Sequence, residues 1–224
     1  MKIVLSICET TRTLCHHKQP CYENLINVFA NHDVYVFGDN IGESLSSYIK
    51  SHNPTYFENK LRGKTRWILD KLEFCVNNFN DDDTIYMLED DYLHQSGSDI
   101  LIDEGLQHSD YVTLYDHPDK YSQHPQKNPE INGLGETTVL FRTNHSHWKY
   151  TNSTTLTFGI KKRTLVEDYS VWVHQINNGD PHWMDYPTFV TLRKSKQRKI
   201  AVCIPGKSTH LHSPIMYSPF FPIP

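Results

Sequence analysis

The chain has 224 residues, 22 Lys and Arg against 26 Asp and Glu, a formal net charge of −4, and 38% hydrophobic residues. That much apolar material supports one packed domain and excludes wholesale disorder. The slight acidity excludes the overall basic field of a non-specific nucleic-acid binder, and no run approaches the roughly 20 apolar residues of a membrane span.

In chain order, Lys2–Cys8 is an apolar run of strand length, too short for the apolar region of a signal peptide, and reads as a buried first strand. Tyr22–Ala30 has helical spacing, and Val34–Phe37 is a short strand stopped by Gly38, Asp39 and Asn40. The apolar pattern of Tyr56–Phe79 predicts one long helix, followed by an acidic loop at 80–83 and a strand at Thr84–Leu88. A helix at 99–107 and a strand at Tyr111–Tyr115 complete the first half.

After Asp116 the helical periodicity fades among prolines and glycines. Strands are expected at Thr137–Phe141 and Thr154–Phe158, helices at 163–176 and 182–193, and a last strand at Ile200–Ile204 before a proline-rich tail. Strands separated by helices imply βαβ units and a mostly parallel sheet in a single α/β domain. Residues 1–115 read as a nucleotide-type sheet and residues 116–224 as a half that builds out a site. The basic stretch Arg193–Lys199 reads as a solvated loop, without the aromatic interleaving of single-strand binders. Five scattered cysteines without a C-x-x-C pair fit neither a disulfide framework nor a zinc site, so a reducing, cytoplasmic setting is expected.

The sharpest chemical signal is Glu89-Asp90-Asp91, three carboxylates directly after an apolar strand. Adjacent like charges repel, and the carboxyl end of a strand is where open α/β sheets place ligands. A hard divalent cation, Mg²⁺ or Mn²⁺, relieves the repulsion with oxygen ligands and bridges substrate phosphates. Asp81-Asp82-Asp83 precedes its strand instead, and reads as an exposed turn.

Four motifs in order carry a family likeness: the strand ending in Glu89-Asp90-Asp91-Tyr92, then Tyr111 to Tyr121, then Ser153 to Phe158, then Ile204-Pro205-Gly206-Lys207-Ser208-Thr209-His210. Together they resemble the small GT-A glycosyltransferases of bacteria and large algal viruses, among them the chlorovirus enzymes that glycosylate the capsid protein. The resemblance implies a GT-A-like fold and a metal-dependent transfer of sugar from a nucleotide-sugar, UDP-linked, to an acceptor hydroxyl on a glycan or glycoprotein. It implies Asp91 as direct metal ligand, with Glu89 and Asp90 facing the ribose and donor sugar. It makes His210 a second metal ligand or diphosphate contact, with His212 as the fallback because alternate residues of an extended segment share a face.

The same resemblance sets Thr10, Arg12 and Asp39 against the nucleotide, although Gly38-Asp39-Asn40 is equally good turn chemistry. Lys64 is a candidate phosphate contact in a segment that departs from the family's Gly-Asn-rich loop. The catalytic base of an inverting mechanism falls on Asp185, in the first turn of the helix expected from Pro181, with Asp168 as the other candidate. Two other readings stay open: a nucleotidyltransferase, which should carry a glycine-rich loop after the first strand where this chain has none, and an inactive sugar-binding module.

Overall fold

The computed structural model describes residues 1–9, 18–59, 63–121, 128–131, 135–179 and 184–223, the side chains of 59 and 63–66 excepted. Eleven strands and six helices follow in the order β1 (Lys2–Cys8), α1 (Lys18–Val28), β2 (Asp33–Asp39), α2 (Glu43–Ser51), β3 (Thr55–Asn59), α3 (Gly63–Asn78), β4 (Thr84–Leu88) and β5 (Tyr92–His94) among the described residues. The chain continues through α4 (Ser98–Gly105), β6 (Tyr111–Thr113), β7 (Leu140–Arg142), β8 (His147–Tyr150), β9 (Phe158–Lys161), α5 (Lys162–Asn178), α6 (Asp185–Lys196), β10 (Ile200–Ile204) and β11 (Ser208–His210).

Nine strands form one sheet in the order β3-β2-β1-β4-β9-β6-β10-β8-β7, while β11 pairs with β5 in a separate ribbon. Within the large sheet only β9 and β8 run against the other strands, so the sheet is mostly parallel, as the alternation of elements predicts. Side-chain parity divides the core into two layers. Val4, Phe37, Ile85, Met87 and Ile160 pack with α3, α5 and α6 on one face. Ile3, Leu5, Val36, Tyr86 and Leu88 pack with α1, α2 and α4 on the other. All five residues of β4 are buried, as expected of a central strand covered on both faces.

Three expectations are corrected. The long helix expected over Tyr56–Phe79 is β3 followed by α3, because Tyr56 and Phe57 alternate between the two core layers and the Phe57 ring packs against Phe37 with centroids 4.7 Å apart. The strand expected at Thr154–Phe158 begins only at Phe158; the amides before it are taken by the carboxylate of Asp185 and cannot join a ladder. The first strand of the second half is shifted to Leu140–Arg142, where pairing with β8 sets its register. Helix α2 and the short strands β5, β8 and β11 go beyond the elements expected from the sequence; the three-residue strands are too brief for any period to register.

Candidate functional site

Chain order reverses between β1 and β4: the chain leaves β1 for β2 on one side and returns to β4 on the other. This is the switch point of an open α/β sheet, where the loops diverge and leave a crevice. Glu89, Asp90 and Asp91 emerge there, at the carboxyl end of β4.

Asp90 bridges both strand ends. Its Oδ2 accepts from the Cys8 amide at 2.8 Å and lies 2.5 Å from the ammonium of Lys18, the first residue of α1. Lys18 also donates to the Cys8 carbonyl. Burial pushes the Asp90 carboxyl up to about 6, with Lys18 pulling against it. On Lys18, burial opposes the charge while Asp90 favours it, and the net shift is upward. Lys18 carries no sequence signal, because only folding brings it to a residue 72 positions away.

Asp91 meets His210, 119 residues away, through Oδ2 and Nε2 at 2.8 Å. The ribbon makes this meeting: β11 runs antiparallel to β5 with His210 opposite Tyr92, and the Leu211 amide donates to the Asp91 carbonyl. The His210 ring stacks on Tyr92 at 4.9 Å and on His212 at 5.7 Å. Burial alone would raise Asp91 and lower His210, but their mutual bond prevails, holding the carboxyl below its ordinary value and the imidazole above.

The pair fits a divalent cation in part. Two ligand atoms on adjacent corners of an octahedral Mg²⁺ or Mn²⁺ lie about 3 Å apart, given bonds of about 2.1 Å. Asp91 Oδ1 is buried without a hydrogen-bond partner. Among the described residues no group of three or more His, Cys, Asp or Glu is arranged to hold a metal. Two protein ligands and an incomplete shell suit a cation that shares its remaining positions with phosphate and water rather than one caged by protein.

Glu89 lines a small cavity with Lys71, Leu156 and Trp172. Lys71, buried on α3, donates to Ser6 Oγ, and sequence reasoning passed it over as one of many helix lysines. Asp39 ends β2 in register with Cys8, and its Oδ1 is buried without a partner. A Cβ at the preceding Gly38 would stand 2.6 Å from the Tyr56 hydroxyl, so the chain approaches β3 closely here. Thr10 and Arg12 lie outside the described residues; Lys64 is in the first turn of α3 with its side chain outside them.

The two candidate bases stand apart from this cluster. Asp168 is fully buried, bound by Arg198 at 2.9 Å and the Tyr111 hydroxyl at 2.9 Å. No acceptor sugar could reach it, so the expectation of a base gives way to an ion pair that ties α5 to the chain before β10. Arg198 also pairs with Asp110, so the basic stretch is part anchor rather than wholly solvated loop. Asp185 opens α6 as expected, but its carboxylate is engaged. Oδ1 accepts from Thr154 Oγ1 and the Leu156 amide, and Oδ2 from the amides of Thr154 and Thr155, all at 2.9 Å. Four donors occupy the lone pairs that a base would need.

No family model matches the chain, and no curated protein matches it. Among solved structures it overlays the galactosyltransferase LgtC in complex with donor and acceptor sugar analogues at a TM-score of 0.50 and 10% identity, over 90% of this chain and 73% of that one. An active-site mutant of LgtC gives a TM-score of 0.50 at 11% identity, over 91% and 72%. A CMP-2-keto-3-deoxy-manno-octonic acid synthetase complexed with CTP gives 0.49 at 13%, over 92% of each chain. The fold is GT-A-like.

Proposed function

We propose that the protein transfers a sugar from a nucleotide-sugar donor, UDP-linked, to a hydroxyl of a glycan or glycoprotein acceptor. The observation that carries this reading is the meeting of Asp91 and His210 at the switch-point crevice of a GT-A-like fold. Asp91 and His210 would hold Mn²⁺ or Mg²⁺, which when bound supplies positive charge to the leaving diphosphate. Asp39 and Asp90 flank the crevice at the ends of β2 and β4, where their carboxylates can accept from ribose hydroxyls. Glu89, which lines a cavity with Lys71, would face the donor sugar.

LgtC is described as a galactosyltransferase with donor and acceptor sugar analogues bound, and the shared fold supports the same general chemistry here. A thermal-shift panel of nucleotide sugars with and without Mn²⁺, followed by assay of nucleotide diphosphate release, tests the reading. A ligand that binds only the folded chain raises the transition temperature. Stabilisation by a nucleotide sugar that requires the cation, with slow donor hydrolysis, supports it. A panel in which no nucleotide sugar stabilises the protein and none is cleaved overturns it. Binding without cleavage would favour a sugar-binding module.

A further inference from the structure

Thr155 and Leu156 have φ of 53° and 54°, the only successive left-handed non-glycine residues among those described. A β-branched residue in that region is an outlier, and such backbone persists only where its surroundings over-determine it. Here they do. The amides of Thr154, Thr155 and Leu156 converge on the Asp185 carboxylate as a nest around an anion. On its other side the turn offers the Thr155 carbonyl to the Tyr92 hydroxyl at 3.2 Å. Tyr92 follows Asp91 directly, is 1% exposed, and lies within 24° of parallel to the His210 ring. Leu156 reaches the cavity that Glu89 lines.

We infer that Asp185 is a positioning residue for the Asp91–His210 pair, acting through the Thr154–Leu156 turn and Tyr92. The carboxylate shapes the turn, the turn's carbonyl fixes the Tyr92 hydroxyl, and the Tyr92 ring sets the plane of the imidazole that meets Asp91. The consequence for cation binding rests on the function proposed above; the brace itself does not.

The test uses Asp185→Asn and Tyr92→Phe in the full chain, each checked for folding by circular dichroism. Three quantities are read: amide exchange at Thr154, Thr155 and Leu156, the ¹H–¹⁵N signals of the His210 ring, and the dissociation constant for Mn²⁺ alone. Asp185→Asn should speed exchange of those amides by about tenfold or more and shift the His210 signals. Tyr92→Phe, which keeps the ring and removes the hydroxyl, should shift the same signals. Both should weaken Mn²⁺ binding by about tenfold, the scale for losing a group that orients a metal ligand. If both variants keep wild-type His210 signals and Mn²⁺ affinity, the brace is wrong. Loss of turnover in Asp185→Asn with unchanged signals and affinity would also overturn it and return Asp185 to the role of base. Wild-type protein that binds no Mn²⁺, with variants that still shift the His210 signals, would sink the metal reading and leave the brace standing. Should Asp185→Asn fail to fold, Tyr92→Phe decides alone.

Discussion

Lys18 and Asp90 form an ion pair at 2.5 Å, with only 4% and 11% of their side chains exposed. The pair joins the start of α1 to the end of β4 and neutralises the middle carboxylate of the acidic triplet from within the chain. Removing one partner of such a pair leaves a buried charge without compensation, which costs far more than the pair itself contributes. Lys18→Met should therefore destabilise the fold by about 3 kcal/mol or more in urea unfolding, and adding Asp90→Asn should recover part of the loss. Asp90 is already raised by burial. Loss of Lys18 raises the folded carboxyl further and leaves the unfolded chain unchanged, so the penalty relative to wild type should grow as pH rises above about 6. A pH-independent loss would argue against a charge effect.

If Asp91 and His210 hold a cation as proposed, Asp91→Asn should abolish turnover with little change in transition temperature, and excess chelator should silence the wild type. His210→Ala should weaken the cation requirement more than His212→Ala, because His210 is the one bonded to Asp91. Undiminished turnover in chelator would sink the cation. A larger effect at His212 would mean that the ligand is misassigned.

The proton on His210 competes with any cation for the ring, and Asp91 favours that proton. Mn²⁺ affinity should fall with decreasing pH, with a midpoint above the ordinary imidazole value of about 6.5. Isothermal titration at pH 6 and pH 8 measures this directly; equal affinities at both would exclude imidazole as a ligand.

His94 sets an acid limit on the fold. It is fully buried against Phe29, bonded to the Tyr86 hydroxyl at 2.8 Å, and burial pushes its imidazole down to about 3. Below about 6.5 the unfolded chain takes up a proton that the folded chain refuses, so stability declines as pH falls towards 3. The slope approaches about 1.4 kcal/mol per pH unit from this one group. His94→Gln should flatten the dependence of unfolding free energy on pH between 6 and 4 by about that slope, and an unchanged slope would show that His94 is protonated in the native state.

Thr155 offers a stability test of its own. Its left-handed backbone costs about 1 kcal/mol that glycine does not incur. Thr155→Gly keeps the carbonyl that receives the Tyr92 hydroxyl, and should leave stability unchanged or raise it by up to about 1 kcal/mol. A marked loss would mean that the Thr155 side chain itself holds the turn.

Much of the first half was legible in the chain because local pattern and burial agree there. β1 has its predicted bounds, β4 is apolar apart from Thr84, and both lie between two layers of the core, so their sequences needed no partner to be read. The acidic triplet stood out for the same reason: charge directly after a buried strand has few explanations. Tyr56 and Phe57 were misread because six apolar positions of the neighbouring helix extend a helical period backwards over a strand that only pairing with β2 reveals.

The roles around the acids were decided by tertiary structure. His210 and His212 have the same strand parity, and only the register of β11 on β5 sets His210 against Asp91. Lys18 was one lysine among many until α1 carried it to Asp90. Asp185 at a helix start looked like a base, and the fold instead surrounds it with four donors from a turn that reads as a strand. A carboxylate's chemistry depends on what occupies its lone pairs, and those partners lie about 30 residues away in sequence for Asp185 and 72 to 119 for Asp90 and Asp91, beyond the reach of any local pattern.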